Sequence, residues 1–512
     1  MQTFKHAHNA PAGAWGLHMN ILLISALLLG GCKANDPIAT PLLNTDYSIV
    51  DGDTIKTVIN KDYKKAQALD PNGKNYITVG DTIMLYKEPK LHTPPTKDPD
   101  LSKLKNNDDP DLKGKPLRMV AIGGSLTAGV RDGGYFNEGI LTSYPNLIAR
   151  QMKLKKFEQP LFDASDYNGF GRKVRTGFNP TGGPVPKFNE VKNNSGVEDA
   201  NGIKVKLKQA KNLSSLDNFA IPFMNEGSLM IGSDLIDSDR KDLSSFENSI
   251  FTKRLIPADK KVESLVQHIN SSKYDLMIID VWTDNFIKGA SIGSIGVGAT
   301  GYLDGTSYTD KILSKIIDGK KSKMALVNIP DILEFPYFKI MTNELLILGM
   351  SGQKYIYYRG GSQPELITQT DRLHLPTSTF DSLASTKVHI SLKKGLTELN
   401  PINSNGQLLV KAAIEGNKSR INNLNIIIQK SCEKFGFALV DLNSLYKKIL
   451  TGRYSEDGVL IDPSYPNGNF FSSDGFYPTA LGQAVIANEF IRSINATYKT
   501  DIPLIKISEY TR

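Results

Sequence analysis

The sequence predicts an α/β fold whose core is a parallel sheet with helices on both faces, a doubly wound arrangement. Short apolar runs recur at 117–122, 276–281, 323–329 and 437–441. Uninterrupted apolar runs of this length are typical of strands that are buried on both faces. Segments with helical spacing of their apolar residues lie between and after these runs. Strands that alternate with helices favour a parallel sheet over an antiparallel one.

Two helices and two long excursions complete this prediction. Residues 143–154 should form a helix with Pro145 in its first turn, where the missing N–H has no partner to lose. Residues 479–495 should form a closing amphipathic helix, because their apolar residues recur near helical spacing. The alternation of strands and helices is interrupted twice, by the Gly-, Asn- and Lys-rich stretch 158–214 and by the mixed stretch 340–400. We expect both to be large insertions that lie outside the sheet.

Composition limits the class of partner. The chain has 512 residues, and 40% of them are hydrophobic, which is enough for a substantial core. This length corresponds to one large domain or roughly two to three ordinary ones. The net charge of +8 is spread along the chain, without a dense basic run interleaved with aromatic residues. We therefore expect no nucleic-acid partner.

The N-terminus has the features of an export signal. An apolar run at 21–29 follows Met19, a second candidate start, and is too short to span a bilayer as a mature helix. It ends in LGGC, which resembles the lipobox of bacterial lipoproteins. The resemblance implies a signal peptide over 1–31, lipidation of Cys32, a lipid-anchored tether over 32–46, and attachment to the outer membrane. An ordinary cleaved signal with an incidental cysteine is the alternative.

Residues 47–89 are predicted to form a separate small α+β module. The sequence DGDT at 51–54 should cap a helix whose apolar residues begin at Ile55, and the alternating segment 77–85 should be a closing strand. This order resembles the lysin motif, a peptidoglycan-binding module, and a small β-rich spacer is the alternative. The stretch 90–116 is rich in Pro, Asp and Lys with little apolar content, and is predicted to be a linker.

Two segments of the main domain, 117–503, contain residues used in serine-hydrolase chemistry. The sequence IGGSLTAG follows an apolar strand and places Ser125 on a strand-to-helix turn, where a serine can act as a nucleophile. Far along the chain, SSDGFYP contains Asp474 and Tyr477. Both segments resemble motifs of the SGNH/GDSL-type serine hydrolases, in particular esterase- and lipase-like lipoproteins of Bacteroidetes-like bacteria. The resemblance covers the whole main domain and implies the flavodoxin-like three-layer form of the fold.

The resemblance implies a catalytic set in which members are replaced. Ser125 stands at the nucleophile, and Gly124 replaces the aspartate that usually precedes it. Asp474 stands where the family's aspartate orients a catalytic histidine, but Tyr477 replaces that histidine. A phenol has a pKa of about 10, so Tyr477 would be mostly protonated at neutral pH and would be a poor base.

The positions that would stabilise an oxyanion are changed as well. Phe223 stands where the resemblance places a glycine whose backbone N–H faces the oxyanion. In an alignment without gaps, Asp284 replaces the asparagine donor and Asn285 replaces the aspartate after it. An anionic Asp284 would repel a developing oxyanion, and loss of one neutral donor costs roughly 3–4 kcal/mol in catalysis. A shift of one residue would let Asn285 serve as the donor.

We expect no substitute base, cofactor or metal. Four histidines follow the signal segment, and none lies near the motifs in sequence: His92, His268, His374 and His389. The chain has only two cysteines, so no Cys-rich zinc site is available. If Cys32 is acylated, Cys432 has no disulfide partner, and we expect it to be a small buried residue between a helix and a strand.

Together these features favour an outer-membrane lipoprotein with a hydrolase fold and little or no catalytic activity. Its expected role is that of a binding or scaffold component of the cell envelope, with an envelope protein, a glycan or peptidoglycan as its partner. Two alternatives stay open. One is an active serine esterase or deacetylase that acts on acylated glycans or lipids through Ser125. The other is a peptidoglycan-anchoring protein that acts through residues 47–89.

Overall fold

The structure is a computed structural model, and its described residues cover most of the main domain. They are 47–50, 53–59, 76–79, 82–86, 91–178, 186–191, 196–199, 206–224, 250–252, 254–255, 273–280, 282–291, 293, 322–339, 357–359, 362–367, 372–373, 398–403 and 408–511. Predictions for the signal segment, Cys32, His268, His374 and His389 lie outside the described residues.

The secondary structure alternates between strands and helices in the main domain. In chain order the strands are β1 (Tyr47–Val50), β2 (Asp53–Ile59), β3 (Tyr76–Val79), β4 (Thr82–Tyr86), β5 (Met119–Gly123), β6 (Lys173–Phe178), β7 (Pro186–Glu190), β8 (Val197–Asp199), β9 (Lys206–Leu207), β10 (Leu276–Asp280), β11 (Lys323–Val327), β12 (Tyr357–Arg359), β13 (Glu365–Leu366), β14 (Arg372–Leu373), β15 (Ile402–Asn403), β16 (Leu408–Leu409), β17 (Ala438–Val440), β18 (Ser455–Glu456) and β19 (Val459–Leu460). The helices are α1 (Ser125–Ala128), α2 (Asn137–Leu141), α3 (Tyr144–Gln151), α4 (Thr283–Ser291), α5 (Lys411–Phe435), α6 (Leu442–Leu450) and α7 (Ala480–Tyr498).

The core of the fold is a parallel sheet. Four strands lie in the order β17-β11-β10-β5, and every neighbouring pair is parallel. Strands β5 and β10 are buried along their whole length, because their apolar side chains pack on both faces. All four strands coincide with the apolar runs of the sequence. The α/β class and the parallel sheet are therefore confirmed.

A fifth segment, 217–221, runs parallel to β5 along its other edge. The N–H of Phe219 donates to the carbonyl oxygen of Ala121, and the N–H of Ile221 donates to that of Gly123, both at 2.8 Å. The sequence of this segment, DNFAI, is not a continuous apolar run, and it was not predicted to be a strand. From this edge the spatial order is 217–221, β5, β10, β11 and β17.

Two pairs of helices pack against the sheet and each other. Helices α5 and α7 both contact β11 and β17, α3 contacts α7, and α4 contacts α5. Thr479 caps the N-terminus of α7: its Oγ1 accepts the N–H of Gly482 and thereby satisfies a free donor of the first turn. The rings of Tyr144 and Phe490 stack at 4.4 Å between α3 and α7. Cys432 is buried, as the sequence predicted, but it lies within α5 and not between a helix and a strand.

The remaining described strands form small sheets that are separate from the parallel one. Strands β6 and β7 form an antiparallel pair with an irregularity between Arg175 and Gly177, and β8 pairs with β9. Strands β12, β13 and β15 form a three-stranded sheet, while β14 pairs with β16. These elements fall in or next to the stretches 158–214 and 340–400.

The N-terminal segment differs from its prediction. Strands β1 to β4 form an antiparallel sheet in the order β1-β2-β4-β3. The helix predicted to begin near Ile55 is wrong, because Asp53–Ile59 is a strand. Five of these seven residues are β-branched, and such side chains prefer strands to helices. The local composition therefore overrides the weak helical spacing.

The predicted linker is packed against the main domain from residue 91 onward. His92, Leu104 and Leu112 are buried, and the ring nitrogen Nδ1 of His92 lies 3.2 Å from the hydroxyl of Tyr510. The folded unit also extends past residue 503, because a short 3-10 helix covers Ile507–Tyr510. A few well-placed apolar residues are enough to dock this polar stretch, which an average over its composition does not reveal.

Candidate functional site

Four predicted site residues meet at the carboxyl end of the sheet, between β5 and β10. Ser125 begins α1 directly after β5, and Asp284 lies in the first turn of α4 after β10. Phe223 follows the edge segment 217–221, and Tyr477 comes from the loop before α7. Strand order reverses here, since 217–221 lies on one side of β5 and β10 on the other. Such reversals create the crevice in which α/β proteins usually bind ligands.

The carboxylate of Asp284 is the centre of this cluster. Its Oδ2 accepts two hydrogen bonds from Ser125, one from the backbone N–H at 2.7 Å and one from Oγ at 2.8 Å. Its Oδ1 accepts a hydrogen bond from the hydroxyl of Tyr477 at 2.9 Å. Hydrogen bonds to an ionised carboxylate are stronger than neutral ones. Asp284 therefore holds the strand-to-helix turn and the loop before α7 together.

Phe223 completes the contacts of the serine. Its backbone N–H donates to Oγ of Ser125 at 2.8 Å, so this hydroxyl both accepts and donates. Phe223 has a φ of 57°, in the left-handed region that glycine adopts readily and bulky residues rarely do. Its ring lies 5.9 Å from that of Phe251. The backbone of Phe223 therefore has a conformation suited to glycine, although the residue has a benzyl side chain.

Gly124 makes room for the Asp284 carboxylate. A Cβ atom on Gly124 would lie 2.4 Å from Oδ2 of Asp284 and 2.8 Å from its Cγ. Real Cβ contacts are not that short, so a side chain at position 124 would displace the carboxylate. The two replacements that the sequence showed separately, glycine at 124 and aspartate at 284, are thus sterically linked.

Asp474 acts on the backbone of its loop. Its Oδ1 accepts the N–H groups of Phe476 and Tyr477 at 2.8 and 2.9 Å, and its Oδ2 accepts that of Gly133 at 3.2 Å. Burial raises the pKa of Asp474 to about 6, although these donors lower it. The carboxylate fixes the loop that presents the Tyr477 side chain.

A second buried carboxyl lies behind Asp284. Asp280 ends β10, and its Oδ1 accepts a hydrogen bond from Oγ1 of Thr283 at 2.9 Å. Burial, together with the neighbouring Asp284, raises the pKa of Asp280 to about 7. Burial also raises the pKa of Asp284 to about 6, against the effect of the donors from Ser125 and Tyr477. Both carboxyls therefore gain a proton more readily than an exposed aspartate does.

The cluster is closed to solvent. Ser125 is 0% exposed, Tyr477 is 4% exposed and Asp284 is 5% exposed. An acyl-transfer reaction needs an accessible nucleophile and free donors around the oxyanion. Here the N–H of Ser125 already donates to a carboxylate. This backbone donor is therefore already used within the cluster and is not free for another oxygen.

The outcome for each predicted residue follows from these contacts. Ser125, Asp284, Tyr477 and Phe223 are brought together, and the side chain of Asp284 contacts the serine. Asn285, the alternative donor, is buried at the next position of α4. Gly124 lies beside the carboxylate, and Asp474 supports the Tyr477 loop.

Sequence reasoning did not identify Asp280 or the backbone of Met224, which hydrogen-bonds Asp284. An aspartate that ends an otherwise apolar buried strand was a usable signal for Asp280. Among the histidines, His92 is buried against Tyr510 instead of Ser125. Burial raises the pKa of Cys432 to about 12, which makes this thiol a poor nucleophile.

Two kinds of feature are absent from the described part of the chain. Within it, no group of three or more His, Cys, Asp or Glu side chains is arranged to hold a metal ion. In that same part, no helix combines the length and apolar character needed to cross a membrane.

Comparisons of the chain with protein-family models, with curated proteins and with solved structures give no match. A function is therefore inferred from the motifs of the sequence and from the geometry of the Ser125 cluster.

Proposed function

We propose that the protein is a lipid-anchored outer-membrane protein with an SGNH/GDSL-type hydrolase fold, that it has lost hydrolase activity, and that it serves as a binding or scaffold component of the cell envelope. One observation carries the loss of activity: the Asp284 carboxylate accepts both the N–H and the hydroxyl of Ser125. The envelope location depends on the lipobox-like sequence that ends at Cys32.

The chemistry of acyl transfer explains why this contact matters. The tetrahedral intermediate carries a negative oxygen that needs donors at its own position. A carboxylate with a pKa of about 6 is mainly ionised at neutral pH, so Asp284 repels such an oxygen and competes for the same N–H. Tyr477 adds a second obstacle, because burial raises the pKa of its hydroxyl well above its usual value and so keeps it protonated. It is a donor to Asp284 and not a base for Ser125.

The strand order supports the proposed form of the fold. In the order 217–221, β5, β10, β11 and β17, the second segment of the chain lies outside the first, and the others follow on the far side. That is the 2-1-3-4-5 order of flavodoxin-like, doubly wound sheets. The separate helix pairs, α3 with α7 and α4 with α5, support layers on both faces.

An active serine esterase is the second candidate, and one contact favours it. Oγ of Ser125 donates to a carboxylate at 2.8 Å, which is the geometry of a nucleophile and a general base. The same Oδ2 oxygen also accepts the N–H of Ser125 at 2.7 Å, and the serine is fully buried. A base that occupies an oxyanion donor works against the step it would assist, so the inactive protein is the better conclusion.

A fluorophosphonate serine probe tests this conclusion. The mature protein and Ser125→Ala are treated alike, with an active serine hydrolase added to the same tube as a positive control for the probe. We expect no labelling of either protein. Labelling of the native chain that disappears in Ser125→Ala would overturn the proposal. The double variant Asp284→Asn/Tyr477→His, which restores the residue types that the resemblance implies, shows whether those two positions alone block the reaction.

Membrane fractionation tests the location separately. The full chain should sediment with the outer membrane, and Cys32→Ser should move to the soluble fraction, because stable attachment requires acyl chains. Outer-membrane recovery of Cys32→Ser equal to that of the native chain would exclude the lipid anchor without bearing on catalysis.

A further inference from the structure

A second concave site lies at the opposite end of the sheet from Ser125, where β5 and β10 begin. It is a cleft of about 500 Å³, a volume within the range of small-molecule binding sites. Segments that are distant in the chain meet there, and five of the lining side chains are basic: Lys115, Arg118, Lys155, Lys156 and Lys273. No single part of the sequence shows this concentration of positive charge.

Most of the negative charge near the cleft is already neutralised. Asp217 is buried, and its Oδ1 lies 3.0 Å from Nε of Arg118. Nζ of Lys273 lies 3.3 Å from a carboxylate oxygen of Asp109. The other lining carboxylate, Asp111, is exposed.

Three lysines supply the available positive charge. Lys115, Lys155 and Lys156 are exposed, and within the described part of the chain none of them lies in an ion pair. Such a cleft has an excess of uncompensated positive charge. It would therefore attract a small anion of more than one negative charge.

The walls of the cleft are held in place by buried carboxylates beneath them. Asp275 is 0% exposed and accepts the N–H of Arg118 at Oδ2 and the N–H of Asn106 at Oδ1, both at 2.8 Å. Asp217 accepts the N–H of Glu158 at 3.0 Å, which ties the loop after α3 to the start of the sheet. These contacts fix the backbone around the lysines before any ligand arrives, and a preformed site loses less entropy on binding.

We propose that this cleft binds a phosphorylated small ligand, either a soluble sugar phosphate or the headgroup of an anionic lipid. Lysine ammonium groups bind phosphate as point charges, and Lys155 and Lys156 supply two of them side by side. Leu112, Pro116 and Leu117 line the same cleft and can contact the uncharged part of the ligand. The site is separate from the Ser125 cluster and does not depend on whether that cluster is catalytic.

Calorimetric titration of the mature protein tests the soluble source. Glucose 1-phosphate is the probe, and glucose is its uncharged control. The key variant is Lys155→Glu/Lys156→Glu, and Lys447→Glu/Lys448→Glu is its matched control. The control pair is also adjacent and exposed, but it lies on α6, after the strand at the other edge of the sheet. Flotation with phosphatidylcholine vesicles, with and without phosphatidylglycerol, tests the lipid source. The native chain and both variants are compared there in a Cys32→Ser background, so that an acyl anchor does not itself bind the vesicles. A sample without vesicles is the blank.

We expect saturable binding of glucose 1-phosphate or of phosphatidylglycerol vesicles, but not of glucose or neutral vesicles. Binding should weaken at least about tenfold in Lys155→Glu/Lys156→Glu, the equivalent of about 1.4 kcal/mol, and be unchanged in the control variant. The probe that binds identifies the source. Absence of binding to both probes, or equal loss in both variants, would overturn the proposal, because equal loss indicates only general electrostatic attraction. Circular dichroism of both variants checks that they are folded.

Discussion

The two ends of the central sheet differ in whether their charged side chains have partners within the protein. At the carboxyl end, the Asp284 carboxylate is buried, and its two oxygens accept hydrogen bonds from Ser125 and Tyr477. At the amino end, Lys155 and Lys156 are exposed beside an open cleft, without ion-pair partners among the described residues. The carboxylate is therefore stabilised by groups of the protein itself, whereas the lysine ammonium groups are available to another molecule.

This difference between the two ends is relevant to the proposed loss of hydrolase activity. Ligands of open α/β sheets usually bind at the carboxyl ends of the strands, where the strand order reverses. In this chain that crevice contains Phe223 and the carboxylate of Asp284 in contact with Ser125. A buried charge is costly unless it is hydrogen-bonded, so the cluster is retained as part of the core. Under the proposed function, the side chains at this position have a structural role instead of a catalytic one.

The largest expected effect concerns the hydrogen bonds of Asp284. We expect Asp284→Ala to unfold with a free energy about 3 kcal/mol lower than Asp284→Asn, because asparagine can still bond the Ser125 and Tyr477 groups while alanine leaves them unpaired. Both variants lose the same charge, so their difference reports the hydrogen bonds together with the small cavity that alanine leaves. Urea unfolding measures it.

The cleft provides the control for this comparison. Lys155→Glu/Lys156→Glu should change the free energy of unfolding by less than about 0.5 kcal/mol, as is usual for exposed positions. Equal stability of the two Asp284 variants would mean that the Ser125 cluster does not hold the carboxyl end together, and the contrast between the two ends would disappear.

The second effect is a dependence of stability on pH. Burial raises the folded-state pKa of Asp280 to about 7, so between the unfolded pKa and that value the folded chain binds more protons than the unfolded chain. The contribution of Asp280 to stability is fully favourable below its pKa in the unfolded chain. It is lost as the pH rises through its pKa in the folded chain. The free energy of unfolding of Asp280→Asn, relative to that of the native protein, should therefore rise by about 2 kcal/mol between about pH 5 and about pH 7. Urea unfolding at each pH measures this gain.

Asp441 is a matched control with the opposite sign. Burial alone would raise its pKa, but hydrogen bonds from Ser444 and Asn328 outweigh burial and lower it. Its contribution is present above the unfolded pKa and is lost only in more acidic solution. Asp441→Asn should therefore differ from the native protein by a constant amount over the same pH range. If the free energy of unfolding of Asp280→Asn also differed from that of the native protein by a constant amount, Asp280 would not have a raised pKa in the folded chain.

The sequence predicted the frame of the fold better than its details. The four parallel strands were evident because buried strands are continuous apolar runs. The edge segment 217–221 was missed, since a single parallel neighbour can stabilise five residues that have no clear pattern. The strand at Asp53–Ile59 was predicted as a helix because a 3.6-residue spacing over so few residues is weak.

The site was predictable as a set of positions but not as a set of contacts. The motifs located Ser125, Asp284 and Tyr477, yet only the structure shows that one carboxylate joins the other two residues. The basic cleft could not be predicted, because Lys115, Lys156 and Lys273 become neighbours only after folding. The fold determines which side chains are buried and which distant residues become neighbours, and these properties cannot be read from spacing along the chain.

The smallest expected effect tests the steric link between positions 124 and 284. Gly124→Ala should lower the free energy of unfolding by about 1–2 kcal/mol, because its Cβ would meet Oδ2 of Asp284 at 2.4 Å. In the Asp284→Ala background the same substitution should cost less, by at least about 0.5 kcal/mol, since the carboxylate it would displace is gone. Urea unfolding of the four proteins of this double-mutant cycle gives the coupling. Additive costs would mean that glycine at 124 is needed for another reason, and that the carboxylate could occupy this end of the sheet beside any small residue.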